Sequence, residues 1–283
     1  MTQSASSLID LQRYPVDRLD APEGAALVAA CREQLAENGC CNLTGFVRPE
    51  AVAAMRNEAL GLEDLAYRQD GKRNAYFTLD DPALPQEDPR RRYWHYRMHQ
   101  LAGDAIPGGA LCRDLFEWDG LTEFFRQILG YEQLYRMADE FQNLNLIYLH
   151  PGHHQPWHYD QGEFAVTLLL QAPEAGGDFE FVPAIRSETD ERLDDVAAAM
   201  DGRHPGIVRP AREAGTLTVF RGMYALHRVS EVRGSRPRIT AVLSYDGRPD
   251  RIATDRENIH IYGPRVAAVL KARRAAQASQ QRL

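Results

Sequence analysis

The pattern of apolar and polar positions changes its period near residue 135. Before that point, apolar residues recur at helical spacing in three stretches: 22–38, 49–60 and 111–129. A short apolar run, 40–46, follows the first stretch. Gly39 suits the end of the first helix and Pro49 the start of the second, because glycine accepts left-handed backbone and proline lacks an N–H. The N-terminal part, about 20–130, is therefore predicted to be a helical layer with one short strand.

After residue 135, short apolar runs separated by Pro, Gly and Asp replace the helical period. The predicted strands are 136–149, 163–171, 178–182, 206–210, 215–220 and 237–245. A series of short strands with such breaks is typical of an antiparallel sandwich or barrel. A helical insert is predicted at 187–200, with Asp190 and Glu191 in its first turn. A basic, alanine-rich helix is predicted at about 256–279.

Residues 67–110 are rich in Asp, Pro, Gly and Arg, with aromatic residues between them. This composition predicts a long functional loop rather than disorder, since Tyr93, Trp94 and Tyr96 are costly to leave in water. The whole chain, 1–283, is predicted to be a single domain, mainly β with α. Its core, about 135–246, is predicted to be a double-stranded β-helix of the jelly-roll or cupin-like kind, covered by the N-terminal helical layer.

The composition narrows the partners that we expect. A chain of 283 residues with 44% hydrophobic content can bury a sizeable core, and a net charge of −7 argues against a nucleic-acid partner. The four cysteines show no metal-binding or disulfide-rich spacing. No apolar run reaches the roughly 20 residues of a membrane helix, and no signal peptide is recognised. We expect a cytoplasmic protein with a small-molecule substrate, no membrane partner, and a C-terminal helix, 264–279, that could cover a second copy in a homo-oligomer.

The chemistry is concentrated in His158, Asp160 and His227. Residues i and i+2 of a strand point to the same face, so His158 and Asp160 can bind one metal. His227 follows another predicted strand and would complete the set from a neighbouring strand. Two imidazoles and one carboxylate on one face of Fe(II) leave positions open for chemistry, whereas a structural zinc site is closed by four ligands. We predict that these three residues are the metal ligands and form the catalytic centre.

An oxidative iron site that uses O₂ needs electrons, which 2-oxoglutarate can supply on decarboxylation. The distal carboxylate of 2-oxoglutarate needs a cation and a hydroxyl donor, and the planar fork of arginine suits a carboxylate. Arg236 and Arg238 flank Pro237 just before an apolar run, and Thr240 shares their strand face. We predict that one of the two arginines is buried and binds this carboxylate.

Three further histidines, His150, His153 and His154, precede the first metal ligand. A histidine-rich loop can itself indicate a zinc site. Pro151 and Pro156 forbid a regular helix that would carry these side chains on one face. We interpret the three histidines as loop or pocket-rim residues rather than ligands.

The motifs together resemble those of the Fe(II)/2-oxoglutarate-dependent oxygenases. The pattern Tyr148-x-x-Pro151-Gly152 before the His-x-Asp pair, and Gly234-x-Arg236 after His227, is similar to the prolyl-hydroxylase-like branch. The similarity covers roughly 135–246. It implies that His158, Asp160 and His227 bind iron, that Arg236 holds the distal carboxylate, and that Tyr148 lines the same pocket.

A closer resemblance links the chain to a bacterial group that acts on free amino acids. It rests on the stretch from Trp157 to Gln171 and on Gly176-Gly177-Asp178-Phe179-Glu180. That group contains halogenases, which replace the metal carboxylate with Gly, and hydroxylases of lysine-like substrates. Because this chain keeps Asp160, the resemblance implies hydroxylation.

The expected substrate contacts come from two regions. Glu140 shares strand parity with Tyr148, so it is predicted to face the barrel and bind the cationic side chain of an amino acid; an ion pair with Arg136 or Arg97 is the alternative. Arg97 or His95, in a dense polar–aromatic block, could bind the substrate α-carboxylate. A solvated basic stretch is the alternative for this block.

These observations predict hydroxylation of an unactivated C–H bond in a small molecule. The best candidate is a free cationic L-amino acid such as lysine, ornithine or arginine. One alternative is a hydroxylase of a peptidyl or carrier-tethered residue. A second is a metal-binding β-barrel protein with a non-oxidative role.

Overall fold

The computed structural model describes residues 5–280. Its α-helices are α1 (Pro22–Asn38), α2 (Pro49–Leu62), α3 (Leu111–Glu117), α4 (Asp119–Leu129), α5 (Leu193–Met200) and α6 (Asp255–Gln280). Gly39 ends α1 with a φ of 63°, and its N–H donates to the carbonyl of Leu35. Pro49 is the first residue of α2. Both boundaries follow the predicted glycine and proline signals.

Antiparallel strands form two facing sheets and two short ribbons. The strands are β1 (Cys40–Leu43), β2 (Tyr67–Arg73), β3 (Trp94–Leu101), β4 (Tyr135–Arg136), β5 (Leu144–Leu149), β6 (Gln155–His158), β7 (Ala165–Gln171), β8 (Ala175–Gly176), β9 (Phe179–Val182), β10 (Leu217–Phe220), β11 (Leu226–Val229), β12 (Val232–Arg233), β13 (Arg238–Leu243) and β14 (Tyr245–Asp246). The larger sheet has the order β1-β10-β7-β13-β5-β3-β2, and the smaller sheet the order β6-β11-β9.

Each face of the larger sheet has its own partner. Leu146, Leu168 and Ala241 lie on the face that packs against the N-terminal helices, where they are buried with Met55 and Phe125. This burial removes apolar surface of both layers from water and holds them together.

The opposite face of the larger sheet is turned to the smaller sheet. Ile147 and Leu149 share a buried cluster with Val229 of β11. The rings of Phe220 and Phe179 lie 4.9 Å apart between the sheets. The predicted double-stranded β-helix with a helical layer is therefore confirmed, and the space between the two sheets is where a buried site can form.

The prediction of one long loop over 67–110 is wrong for two parts of that range, which form strands β2 and β3. β2 and β3 pair along their whole length, and β3 joins the larger sheet through β5, with His99 opposite Tyr148. Both strands carry charged residues on their outer face, and pairing across such a sequence distance leaves no local signal. A loop remains only between Arg73 and Trp94.

The predicted strand 136–149 is also interrupted. The carboxylate of Asp139 accepts hydrogen bonds from the backbone N–H groups of Phe141 and Gln142, at 2.9 and 3.0 Å. Such aspartate contacts favour a turn over a strand. As a result, β5 begins only at Leu144, and residues before it lose the strand parity on which the substrate prediction depended.

Smaller differences concern single elements. Residues 206–210 contribute one isolated bridge, between Val208 and Phe181, instead of a strand. The predicted helix at 111–129 is divided at Trp118, and the helical insert begins at Leu193 rather than near Asp190. Gly263 adopts φ 70° and ψ −154° and kinks α6. Within residues 5–280, no helix is long and apolar enough to cross a membrane.

Candidate active site

Neighbouring strands of the smaller sheet bring the three predicted metal ligands together. His158 ends β6 and lies directly opposite His227 of β11. Asp160 follows β6, and its backbone N–H donates to the carbonyl of Gly222 at 3.0 Å. Oδ1 of Asp160 lies 3.5 Å from Nε2 of His227 and 3.9 Å from Nε2 of His158. The side-chain atoms of all three residues therefore converge on one point.

The two imidazoles are oriented by backbone carbonyls. Nδ1 of His158 lies 2.8 Å from the carbonyl of Pro156, and Nδ1 of His227 lies 2.9 Å from that of Ala225. A carbonyl only accepts hydrogen bonds, so each Nδ1 carries a proton and each Nε2 offers a lone pair. Oδ2 of Asp160 is buried and has no hydrogen-bond partner among residues 5–280. This donor set fits Fe(II), with positions left for other ligands.

Burial and mutual charge set the protonation of the site. Burial lowers the pKa of His158 well below its usual range, and the charges of His227 and Arg73 lower it further. Burial also opposes ionisation of Asp160, but the charges of His227, His158 and Arg73 outweigh it and lower the pKa of the carboxyl. A neutral imidazole and an ionised carboxylate are the forms that bind metals.

Two arginines lie between the sheets: Arg238 is buried and Arg212 is partly buried. Arg238 and Thr240 alternate along β13 with core residues of the helical side, so both face the smaller sheet. Nη1 of Arg238 donates to Oγ1 of Thr240. Arg212 donates from Nη2 to Oγ1 of Thr167 at 3.1 Å, and its Nε is buried without a partner among the described residues.

These two guanidinium groups need an anion. Among residues 5–280, neither Arg212 nor Arg238 has a carboxylate within ion-pair distance, although the charge of Asp178 acts on Arg238. Burial lowers the pKa of Arg212 to about 10. Burial, and next the charge of Arg212, lower the pKa of Arg238 well below its usual value. Paired cations in a dry interior are stabilised by a bound carboxylate, and the hydroxyl of Thr240 adds a further polar contact.

Two residues expected in this pocket lie elsewhere. Arg236 is exposed on the connection before β13, with Nη2 at 3.4 Å from the carbonyl of Pro173. Tyr148 is fully buried on the helical side of the larger sheet, where its hydroxyl donates to the carbonyl of Ala59 at 2.6 Å. Adjacent strand positions point to opposite faces, which excludes Tyr148 from the space between the sheets. Of the two arginines, only Arg238 is therefore buried between the sheets, and Tyr148 helps fix α2.

A third arginine lies next to the metal ligands. Arg73 ends β2, and its guanidinium packs over the rings of Tyr96 and Phe77, at 4.6 and 5.0 Å from their centroids. Its Nε and Nη2 are buried without hydrogen-bond partners among residues 5–280. Burial lowers its pKa to about 10, although the negative charges of Tyr96 and Asp160 act in the opposite direction. Two free donors beside the triad are a second place for an anion.

A cavity of about 300 Å³ opens beside Asp160 and is lined by aromatic and cationic side chains, among them Tyr76, Phe77 and Arg186. The guanidinium of Arg186 lies 3.8 Å from the ring centroid of Tyr159 and donates to the carbonyl of Met223 at 2.8 Å. The hydroxyl of Tyr76 is buried without a partner in the described part of the chain. The cavity is in the size range of small-molecule sites.

The predicted substrate contacts are wrong in placement. Glu140 is exposed in the turn before β5 and forms an ion pair with Arg273 of α6, so the alternative of a protein partner is correct but neither expected arginine supplies it. Arg97 is exposed on β3. His95 lies on the same outer face of β3, with Nε2 at 2.6 Å from Oδ1 of Asp70. All three point away from the space between the sheets.

Arg73 and Arg212 were not expected at the site. The sequence gives only a weak indication that Arg73 faces the site. Once β2 is recognised as a strand, Gln69, Gly71 and Arg73 lie on one of its faces. Arg212 has none, since it lies in an irregular segment before β10.

Comparison with known proteins agrees with this architecture. The family model described as HalD: Halogenase D matches residues 24–260. The structure is similar to an oxidoreductase of the 2OG-Fe(II) oxygenase family from Burkholderia pseudomallei, at 17% identity and a TM-score of 0.50 over 79% of this chain and 92% of the other. No curated protein gives a match.

Two further solved structures share the fold. AviO1 from Streptomyces viridochromogenes Tue57 has 18% identity and a TM-score of 0.52, over 77% of this chain and 93% of its own. SnoN, a non-heme alpha ketoglutarate dependent epimerase from nogalamycin biosynthesis, has 12% identity and a TM-score of 0.55, over 78% and 83%.

The solved structures show that this chain shares the fold of 2OG-Fe(II) oxygenases, and His158, Asp160 and His227 are a possible metal site within that fold. The chain belongs to the Halogenase D family.

Proposed function

We propose that this enzyme hydroxylates an unactivated C–H bond of a small molecule, with Fe(II), 2-oxoglutarate and O₂. The observation that carries this proposal is the carboxylate of Asp160, which meets the two imidazoles with one buried oxygen left free. A carboxylate at this position completes a three-ligand face and occupies the place that a halide would need. We therefore infer hydroxylation rather than halogenation, although the family is named for a halogenase.

When bound, Fe(II) with 2-oxoglutarate and O₂ supplies the oxidising power that no side chain has. The residues of the chain bind and orient. His158 and His227 offer neutral nitrogen donors, and Asp160 offers a charged oxygen. Arg238, Thr240 and Arg212 would hold the distal carboxylate of 2-oxoglutarate in the dry space between the sheets, which leaves its keto-acid end for the metal.

The finer proposal concerns the substrate. Arg73 has two buried N–H donors without partners beside the triad, and an arginine fork is well suited to a carboxylate. We infer that Arg73 binds the α-carboxylate of a free L-amino acid. This contact would bring the side chain of the substrate to the metal and exclude water from the buried guanidinium.

Our best candidate for the substrate is still an amino acid with a cationic side chain. The carboxylate that would bind this side chain is not Glu140, as first expected. Oε2 of Glu191 is buried without a partner among residues 5–280, while Oε1 lies 3.4 Å from Nη1 of Arg186. Arg186 lines the cavity beside Asp160. We therefore propose that Glu191, which pairs with a residue lining this cavity, would bind the amine or guanidinium of lysine, ornithine or arginine in place of Glu140.

A panel of free amino acids tests the substrate. Each is incubated with the Fe(II)-loaded enzyme, 2-oxoglutarate and air, and succinate is measured. Lysine, ornithine and arginine should stimulate succinate release above neutral and acidic amino acids. Stimulation by a peptide or a carrier-bound residue instead would favour the tethered-substrate alternative, and absence of succinate under every condition would favour a non-oxidative metal-binding role.

A further inference from the structure

A second group of metal-binding side chains lies on the helical side of the larger sheet, away from the triad. His99 is on β3 directly opposite Tyr148 and shares its face, which is the face turned to α2. Glu63 begins the short 3₁₀ turn that follows α2. His150 and His153 lie in the turn after β5, where the N–H of His153 donates to the carbonyl of His150 at 2.8 Å.

One carboxylate oxygen contacts two of the imidazoles. Oε1 of Glu63 lies 3.1 Å from Nδ1 of His99 and is also in close contact with Nε2 of His150. The ligand atoms of these three residues are all within 4.8 Å of one another. Their side chains are only 17–33% exposed, so the group is sheltered rather than spread over the surface.

A third imidazole, that of His153, lies next to this group, outside the set whose ligand atoms are within 4.8 Å of one another. The ring of His153 lies 5.4 Å from that of His99 and 5.5 Å from that of His150, centroid to centroid. Nδ1 of His153 is buried and has no hydrogen-bond partner among residues 5–280. A buried nitrogen without a partner is costly unless a ligand or a metal satisfies it.

We propose a second metal site, suited to Zn(II), formed by four side chains: Glu63, His99, His150 and His153. Three imidazoles and one carboxylate are the donor types that zinc binds in tetrahedral geometry, with bonds of about 2.0–2.2 Å. Nothing in the group is left for a substrate, because four protein ligands close a tetrahedral site. The site is therefore structural and independent of the iron centre.

The positions of the four ligands indicate which parts of the fold a bound zinc ion would stabilise. The ligands come from the end of α2, from β3, and from the turn that leads into β6, where His158 lies. A metal bound by all four would tie the helical layer to the edge strands and fix the turn before the triad. A metal that binds only the folded chain raises its stability by mass action.

Zinc binding is best measured in a His227→Ala background, where the iron site has lost a ligand. Metal-free protein is titrated with Zn(II) alone, and bound zinc per chain is determined by mass spectrometry after gel filtration. The background variant should bind one zinc, and its melting temperature should rise with zinc. Adding His99→Gln, or separately Glu63→Gln, should abolish both effects.

The matched control is His95→Gln. His95 lies on the same strand as His99 and contacts a carboxylate, that of Asp70, but belongs to neither group of described residues that could hold a metal. This control should still bind one zinc. If His99→Gln fails to fold by circular dichroism, Glu63→Gln decides the outcome. Absence of zinc in the background variant, or zinc retained in every folded ligand variant, would overturn the proposal.

Discussion

Gly222 leaves no room for a side chain beside Asp160. A Cβ atom on Gly222 would stand 2.0 Å from Oδ2 of Asp160, the carboxylate oxygen that has no partner among residues 5–280. The carbonyl of Gly222 also accepts the backbone hydrogen bond of Asp160 at 3.0 Å. Gly222 thus fixes the position of the Asp160 carboxylate and leaves the space next to its Oδ2 open.

The first prediction is that Gly222→Ala weakens iron binding. The new methyl group must displace the carboxylate of Asp160, and disturbing a group that orients a metal ligand typically costs about 10–100-fold in affinity. Fe(II) affinity is measured by anaerobic titration. Gly162→Ala is the control, since a Cβ there meets only the carbonyl of Phe164 at 3.5 Å. Equal affinity of the two variants would contradict this role of Gly222.

The second prediction separates the two arginines near β13. Arg238→Met should raise the KM for 2-oxoglutarate by about 10–100-fold, because hydrogen bonds to charged groups contribute about 1.5–3 kcal/mol each. Arg236→Met should leave this KM unchanged, since Arg236 is exposed. Steady-state kinetics at varied 2-oxoglutarate distinguish them. A larger rise of this KM in Arg236→Met than in Arg238→Met would instead assign binding of the distal carboxylate to Arg236.

The third prediction concerns the substrate contacts. Arg73→Met should raise the KM for the amino acid while leaving the KM for 2-oxoglutarate close to that of the wild type. Glu140→Gln should change neither constant, because Glu140 is bound to Arg273 at the surface. A larger effect of Glu140→Gln than of Arg73→Met on amino-acid KM would exclude this assignment.

The fourth prediction concerns the layer behind the histidines. Glu180, only 4% exposed, lies directly opposite Arg228 on β11 and accepts from Nε of Arg228 at 2.5 Å and from Nε of Arg209 at 2.6 Å. Burial raises the pKa of Glu180, but the two hydrogen bonds and charges outweigh it, so the pKa is lowered overall.

A carboxylate with a lowered pKa stabilises the fold above its unfolded-state pKa, about 4.3. That contribution is lost as the pH falls from this value through the folded pKa. Glu180→Gln should lower the free energy of unfolding by about 1–2 kcal/mol at pH 7, and the difference from wild type should shrink at acid pH. Urea unfolding at both pH values checks this. Glu117→Gln, at an exposed i,i+4 ion pair, is the control with little effect.

The sequence predicted those parts of the fold that carry local signals. Gly39 and Pro49 mark helix ends through backbone preferences. His158 and Asp160 converge as their i, i+2 spacing predicted, although β6 ends at His158 and Asp160 lies beyond it. The errors arise where a distant partner or a single side chain decides. β2 and β3 are strands because they pair with each other and with β5.

The predicted placement of Glu140 between the sheets was wrong because of a turn next to it in the chain. The hydrogen bonds of Asp139 turn the chain before β5, so strand parity could not be counted back to Glu140. Arg212 reaches the space between the sheets from an irregular segment. No periodicity in such a segment predicts which way its side chain points. The grouping of His158, Asp160 and His227 could be predicted from their spacing and neighbouring strands. The cavity beside Asp160 could not, because loop residues line it.

The central claim is that Asp160 makes this centre a hydroxylase. The most direct measurement is the fate of labelled oxygen when the Fe(II)-loaded enzyme turns over 2-oxoglutarate and its best amino acid under ¹⁸O₂ with chloride present. We predict that succinate and the hydroxylated amino acid each gain one labelled oxygen, and that Asp160→Ala forms neither above background. A chlorinated product from the wild type, or turnover unchanged in Asp160→Ala, would contradict the account.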